Sequence, residues 1–499
     1  MSTVSSFDPR TGLPSGKIDE TTPAEVDQLV RQAGRAGPEL ARTSPKTRRR
    51  WLHAVATTLE EHREELVALA DSETALGTLR LTGEVARAAD QLRFYGDVAV
   101  EGSFIDATVD EATATTPRLV RVNRPLGPVA VFGASNFPFA FSVLGNDTAS
   151  ALAVGCPVLI KAHPAHPLLS ARLADLAMRA LAATDAPQGT LGLVTGHEAG
   201  VALVRADAVS AVAFTGSQAG GMALWRLANE RKVVIPVYAE MGTVNPVVVT
   251  RSAATDMADV ARGFVASFTL GSGQFCTKPG LLLVPAGHDG AAQVGGALAE
   301  AAPRPVMLTE SISRSLDQGL DELTAAGASV VHSEPGDGRG WSGRAAVLKA
   351  SVEDIVQGSR ILEECFGPTA VVVEYNTDDE LRTVLSRLQG SLAASVITGY
   401  PDPDASWIIA QLASSAGRVA VNDWPTGVAC TWAQQHGGPW PATSSPAHTS
   451  VGAGALHRFV RPVTFQSTPN AWLPPEAQDS NPWGLPRRIN GAAAGRGGM

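Results

Sequence analysis

Apolar positions in the first hundred residues recur at helical spacing. Thr22-Pro-Ala-Glu25 reads as a capping box, with Leu29, Val30 and Ala33 forming the apolar face behind it. Ala54, Leu59, Leu66 and Leu69 continue the period, so residues 22–99 are predicted to be rich in helix. The period then changes. Arg118-Leu-Val-Arg-Val122 comes close to alternation between Pro117 and Pro125, which predicts an edge strand of a β-ribbon within 103–125.

From residue 127 short apolar runs alternate with helical stretches. Strands are predicted at 127–133, 157–161, 191–194, 211–214 and 232–238, with helices at 140–153, 168–183, 200–205 and 222–229. A second series places strands at 246–249, 281–284, 369–374, 393–398 and 418–422, with helices at 255–270, 290–301 and 378–388. Such alternation predicts an α/β protein with a doubly wound parallel sheet, whose ligands bind at the carboxyl ends of the strands. The end, 431–499, is rich in Pro, Gly, Trp and Ser, and predicts one strand near 464–467 and a frayed tail.

Composition narrows the class. A chain of 499 residues has room for two or three domains, and 44% apolar with 18% charged residues is ordinary for a globular protein. A formal charge of −9 argues against nucleic acid as partner. The basic run Lys46-Thr-Arg-Arg-Arg50 reads as a solvated helix start. Cys156, Cys276, Cys365 and Cys430 are widely scattered with no CxxC pair, which fits neither a disulfide framework nor a zinc site. Neither a signal-peptide pattern nor an apolar run of about 20 residues is present, so a cytoplasmic protein without a membrane span is expected.

Candidate chemistry lies in the turns. Gly271-Ser-Gly-Gln-Phe-Cys276-Thr-Lys-Pro-Gly280 puts a cysteine on a glycine-loosened loop after an apolar helix. A substrate can reach such a sulfur, and main-chain N–H groups can approach what it binds; a buried packing cysteine is the plain alternative. Asn136, before Phe137-Pro138, offers a neutral amide donor or is simply a turn residue. Lys161 ends a buried strand, and Gly216-Ser-Gln-Ala-Gly-Gly221 opens a helix that could hold a phosphate or merely make the turn. Glu240 follows the last strand of the first series and would serve as a base if burial raised its pKa. Glu363-Glu364-Cys-Phe366-Gly-Pro368 pairs an acid with an aromatic ring.

In this order, Asn-Phe-Pro, the strand-ending Lys, Phe-Thr-Gly-Ser, Glu-Met-Gly, Gly-Gln-Phe-Cys-Thr and Glu-Cys-Phe-Gly-Pro resemble the aldehyde dehydrogenase superfamily over nearly the whole chain. The stretches 161–167, 435–444, 449–452, 458–462 and 481–487 are similar to the 2,5-dioxovalerate (α-ketoglutarate semialdehyde) and NADP-dependent fatty-aldehyde branch. The resemblance implies Cys276 as nucleophile, Asn136 with the Cys276 N–H as oxyanion hole, and Glu240 as the base that activates water. It implies a cofactor site of Lys161, His163, Gly196, Gly216, Ser217 and Gly221 with Glu364 and Phe366 at the nicotinamide.

Pro164 stands where NAD-preferring relatives often carry a glutamate, which implies NADP as preferred cofactor with some use of NAD. Thr243 stands where many relatives have a glycine. The expected substrate is a small aldehyde, 2,5-dioxopentanoate, with Arg458 and Arg461 as candidate cations for its carboxylate. A broad medium- or long-chain aldehyde oxidiser is the alternative in the same class, and a catalytically silent oligomeric scaffold the alternative outside it. The expected division is a dinucleotide-binding domain at 1–102 and 126–241 and a catalytic α/β domain at 242–437. A β-ribbon oligomerisation element at 103–125 and 438–470 and a tail at 471–499 complete it, with a homodimer or homotetramer as the assembly.

Overall fold

The structure is a computed structural model that describes residues 2–494. A hairpin, β1 (Thr3–Asp8) and β2 (Leu13–Asp19), precedes α1 (Pro23–Leu40), α2 (Pro45–Glu61), α3 (Arg63–Thr74) and α4 (Thr78–Glu101). The capping box forms as the residue pattern expects: Thr22 Oγ1 accepts from the Glu25 N–H, and the Glu25 carboxylate accepts from the Thr22 N–H. The basic run is less solvated than expected. Arg48 is buried, donating to the carbonyls of Ala153 and Thr43.

After β3 (Ala107–Asp110) and β4 (Leu119–Pro125) comes the first α/β series. It runs β5 (Val129–Phe132), α5 (Asn146–Val154), β6 (Val158–Lys161), α6 (Pro167–Ala183), β7 (Leu191–Val194), α7 (His197–Arg205), β8 (Ala211–Gly216), α8 (Gln218–Asn229) and β9 (Val237–Met241). All five strands are parallel, in the order β7-β6-β5-β8-β9, so chain order reverses between β5 and β8. The crevice at such a switch point is where doubly wound sheets bind ligands. Two boundaries differ from expectation. Residues 140–145 do not join α5, because the buried Glu84 carboxylate takes the Phe139 and Ala140 N–H groups and the turn at 137–141 buries three phenylalanines instead. The last strand starts beyond Pro236, which has no N–H to give, so Glu240 lies within β9 and not after it.

The second series is β10 (Pro246–Val249), α9 (Met257–Thr269), β11 (Leu281–Pro285), α10 (Gly290–Ala301), α11 (Glu310–Ala325), β12 (Ser329–Glu334), β13 (Ala345–Ala350), β14 (Thr369–Tyr375), α12 (Asp378–Arg387), β15 (Ala394–Ile397), α13 (Ala405–Ala413) and β16 (Val419–Val421). Its seven strands run β12-β13-β14-β11-β10-β15-β16, antiparallel only at β12. No element was expected between 301 and 369, where α11, β12 and β13 widen the sheet at its edge.

A third sheet has the order β17-β4-β3-β18-β19, with β17 (Val460–Gln466), β18 (Arg487–Ile489) and β19 (Ala492–Ala494). Strand β4 is therefore interior and not an edge: its partner arrives more than three hundred residues later. The expected frayed tail also differs, since 487–494 pair into this sheet; the last five residues lie outside the described part.

Candidate active site

Cys276 lies in the loop between α9 and β11, and that loop is clamped from several directions. Gly271, Ser272 and Gly273 all have positive φ. At Gly273 a Cβ would sit 2.3 Å from the Gly367 carbonyl carbon, so this loop and the Phe366-Gly-Pro368 turn require each other's shape. Buried Gln274 donates to the Val306 carbonyl and accepts from the Leu308 N–H. Asn245, also buried, donates to the carbonyls of Cys276 and Lys278 and accepts from the Ala393 N–H. The Lys278 ammonium ties the next turn to the carbonyls of Cys365 and Thr369. The sulfur is fixed in space although its loop looks loose in sequence.

Two groups face it. His436 Nε2 lies 3.6 Å from Cys276 Sγ and 3.0 Å from Glu240 Oε1. His436 and Glu240 are only 1% and 3% exposed. The loop that carries the histidine is stitched to β9, with Met241 N–H donating to the Ala442 carbonyl and Ser444 N–H to that of Ala239. Ser450 Oγ donates to Glu240 and to the His436 carbonyl oxygen. His436 Nδ1 is buried with no partner, so the ring meets both sulfur and carboxylate through Nε2.

The electrostatics follow from this packing. Burial raises the Cys276 thiol well above its ordinary range, and the charges of Glu240 and Glu364 push it the same way. At neutral pH it needs a base to leave as thiolate. Burial also pushes Glu240 upward, but His436, Ser450 and Cys276 reverse the direction and hold its carboxyl below the usual range. A raised pKa is therefore not what fits Glu240 to act as base; it is an ionised carboxylate beside an imidazole. Asn136 Nδ2 donates to the Gln274 carbonyl at 2.9 Å, which aims the amide at the same loop. Among the described residues no hydrogen bond occupies the Cys276 N–H, leaving it open to an oxyanion.

A cleft of about 440 Å³ runs from the sulfur to the switch point of the first sheet. Asn136, His163, Gly216, Ser217, Glu240, Cys276, Glu364 and Phe366 all line it. Gly216 ends β8, and Ser217 caps α8 by accepting from the Gly220 N–H, so small residues meet a helix N-terminus. Glu364 packs on Gly242, where a Cβ would come 1.9 Å from its Oε2. Burial raises the Glu364 carboxyl to about 7, against the pull of Lys278 and Arg360. Three expected residues are placed otherwise. Lys161 ends β6 beside the cleft, and among the described residues no ion pair or hydrogen bond holds its ammonium. Gly196 starts α7 against the Glu20 side chain, and Gly221 packs on Met241, where a Cβ would meet its sulfur at 2.7 Å.

The other flank of the sulfur is aromatic and cationic, and was not foreseen. Phe137 and Phe275, neighbours of Asn136 and Cys276, meet edge to face at 5.0 Å. Arg80 stacks on both rings and donates to the Asn136 carbonyl; Arg87 lies over Phe137 and Phe141 at 5.4 Å and donates to the Val428 carbonyl. Arg80, Glu84 and Arg87 share one face of α4, a charged stripe at i, i+4, i+7 that could have flagged them. The cations expected from sequence are elsewhere. Arg458 is buried in an ion pair with Asp147 at 2.7 Å, and Arg461 is exposed on β17.

This assembly can add a sulfur to a carbonyl, hold the oxyanion and hydrolyse a thioester. A family model described as aldehyde dehydrogenase family matches residues 1–461. The chain belongs to the aldehyde dehydrogenase family. It is 41% identical over 518 aligned residues to alpha-ketoglutaric semialdehyde dehydrogenase 2 of Azospirillum brasilense, covering 98% of this chain and 96% of that protein. It is 37% identical over 502 residues to alpha-ketoglutaric semialdehyde dehydrogenase of Acinetobacter baylyi, covering 98% and 95%. Among solved structures it is similar to PnpE in complex with nicotinamide adenine dinucleotide, with a TM-score of 0.80, 22% identity and 93% and 94% of the two chains covered. The protein is therefore an NAD(P)-dependent aldehyde dehydrogenase, and its cleft has residues that fit that cofactor: a small-residue helix start at Gly216 and Ser217, and an acid and a ring at Glu364 and Phe366. Among the described residues no helix is long and apolar enough to cross a membrane.

Proposed function

We propose that this aldehyde dehydrogenase oxidises 2,5-dioxopentanoate to 2-oxoglutarate. The observation that carries the choice is the pair Arg80 and Arg87 on the aromatic wall beside Cys276. A five-carbon substrate with an aldehyde at one end and a carboxylate at the other needs a cation on the flank away from the cofactor. Glu84 between the arginines is raised by burial, while Arg80, Arg87 and the Phe139 and Ala140 N–H groups pull it the other way. The names of the two relatives point the same way.

In the proposed mechanism His436 Nε2 accepts the Cys276 proton while Glu240 stabilises the imidazolium. The sulfur adds to the aldehyde carbon, and Asn136 Nδ2 with the Cys276 N–H holds the oxyanion. NAD(P), when bound, accepts the hydride. A thioester remains on Cys276, and Glu240 takes a proton from the water that hydrolyses it. Lys161, His163, Gly216, Ser217, Glu364 and Phe366 hold and orient the cofactor, while Gly196 and Gly221 shape the turns around it.

NADP is the proposed preference. Pro164 removes an acid, and Lys161 is an unpaired cation for a 2′-phosphate. Burial, with His166 and Lys161 nearby, holds His163 well below its ordinary range, so it contributes a hydrogen bond and not a charge.

We retain the proposed division into 1–102 with 126–241, 242–437, and 103–125 with 438–470, adding the paired strands at 487–494 to the last. The edge of β17, unpaired among the described residues, supports a homodimer or homotetramer. Steady-state rates with 2,5-dioxopentanoate, uncharged aldehydes and fatty aldehydes, each with both cofactors, test the reading. A fatty aldehyde turned over better than the semialdehyde would overturn it.

A further inference from the structure

Three metal donors of different chemistry converge on the reacting centre. Sulfur and imidazole are 3.6 Å apart, imidazole and carboxylate 3.0 Å, and all three donor atoms lie within 4.8 Å of one another. Among the described residues no other group of three such side chains comes so close. A tetrahedral zinc ion, with bonds of about 2.3 Å to sulfur and 2.0 Å to nitrogen, spaces its ligands about 3.5 Å apart. The sulfur–imidazole pair already has that spacing, and the carboxylate need withdraw only by roughly half an ångström.

The burial and charge of the site also favour a cation. Glu240 Oε1 is buried, 3.0 Å from His436 Nε2. Both Glu240 and Glu364 place negative charge on the sulfur, with Arg87 as the opposing cation.

We propose that Cys276, His436 and Glu240 form a reversible inhibitory site for a thiophilic divalent cation, zinc above all. Bonds form from the ion to Cys276 Sγ, His436 Nε2 and Glu240 Oε1, and water holds the fourth position. The thiol proton leaves to solvent and no electron is transferred. The sulfur can then no longer add to a carbonyl, the imidazole cannot take a proton, and the base is occupied. Magnesium and calcium are poor occupants, since they require an oxygen shell and the site offers one carboxylate. Cysteine spacing gave no hint of the site because its ligands come from three separate stretches of chain.

The inference does not rest on the choice of aldehyde, and its test needs no turnover. Cadmium serves as the probe, through the ultraviolet charge-transfer band of a cadmium–thiolate bond, with zinc as competitor. The expected result is one cadmium per chain, displaced by zinc, removed by chelator, and absent in Cys276→Ala. Affinity should fall at least about tenfold in Glu240→Gln and in His436→Gln, since even outer partners of metal sites are worth that much. If His436→Gln does not fold, the isosteric Glu240→Gln decides. Overturning results are a full band in Cys276→Ala, affinity unchanged in the folded Glu240 and His436 variants, or magnesium competing as well as zinc.

Discussion

The two flanks of Cys276 are built in different ways. On the cofactor side the cleft is lined by strand ends and the residues just after them: Asn136 after β5, Gly216 and Ser217 at the end of β8, Glu240 in β9. Their positions follow from the sheet, and what they offer is mostly main chain, small residues and one or two fixed groups. On the aldehyde side the wall comes from α4, from the turn at 137–141 and from the loops at 428 and 436. Arginines, rings and an imidazole meet there from distant parts of the chain. A sheet edge can be shared by many aldehyde oxidisers, whereas a wall of long side chains is where one chain chooses its aldehyde. On this account chemistry belongs to the first flank with His436, and selectivity to the second.

The comparison breaks most readily at the sulfur. Cys276→Ala should lower turnover by about 10⁴-fold or more while NADP still binds, as loss of a nucleophile does elsewhere. Fluorescence titration of the cofactor alongside rate measurement checks both halves; residual turnover near the parent rate would remove Cys276 from the chemistry. Glu240→Gln should cut steady-state turnover by about 10²–10⁴-fold and slow the first burst of reduced cofactor far less, because its work as base comes after hydride loss. Rapid mixing reads the burst, and a burst lost in proportion to turnover would make the first step the main role of Glu240.

Smaller effects sharpen the line between the flanks. Lys161→Met should lower the NADP-to-NAD ratio of kcat/KM by about tenfold, the loss of one charge-assisted contact, and leave aldehyde preference untouched. The Cys276 thiol is raised by burial and by carboxylate charge, so it is protonated at neutral pH and its alkylation should quicken as pH rises. Removing the Glu240 charge lowers the thiol pKa, so the iodoacetamide profile of Glu240→Gln should move to lower pH. A shift the other way would mean that Glu240 is not charged beside the sulfur.

What could be read from the residues follows the same division. Both parallel series, the capping box, and the cleft's Asn136, Gly216, Glu240, Cys276, Glu364 and Phe366 were legible because each sits in a short motif at a strand or helix end. His436 was visible only as part of a Gly- and Pro-rich stretch, since its partners Cys276 and Glu240 are more than a hundred and fifty residues away. Arg80 and Arg87 read as ordinary polar positions of a long helix, and Arg458 as either a substrate cation or a structural one; Asp147 in the core makes it the second. The pairing of β4 with β17 was hidden for the same reason. Local period shows an element, but not which distant element will cover it.

The division between the flanks rests most on Arg87. The direct measurement is kcat/KM for 2,5-dioxopentanoate and for pentanal, an uncharged aldehyde of the same length, in the parent protein and in Arg87→Leu. The account predicts a loss of about 10- to 100-fold for the semialdehyde, the worth of a hydrogen bond to a charged group, with pentanal nearly unchanged. Equal losses for both aldehydes, or none for either, would contradict it.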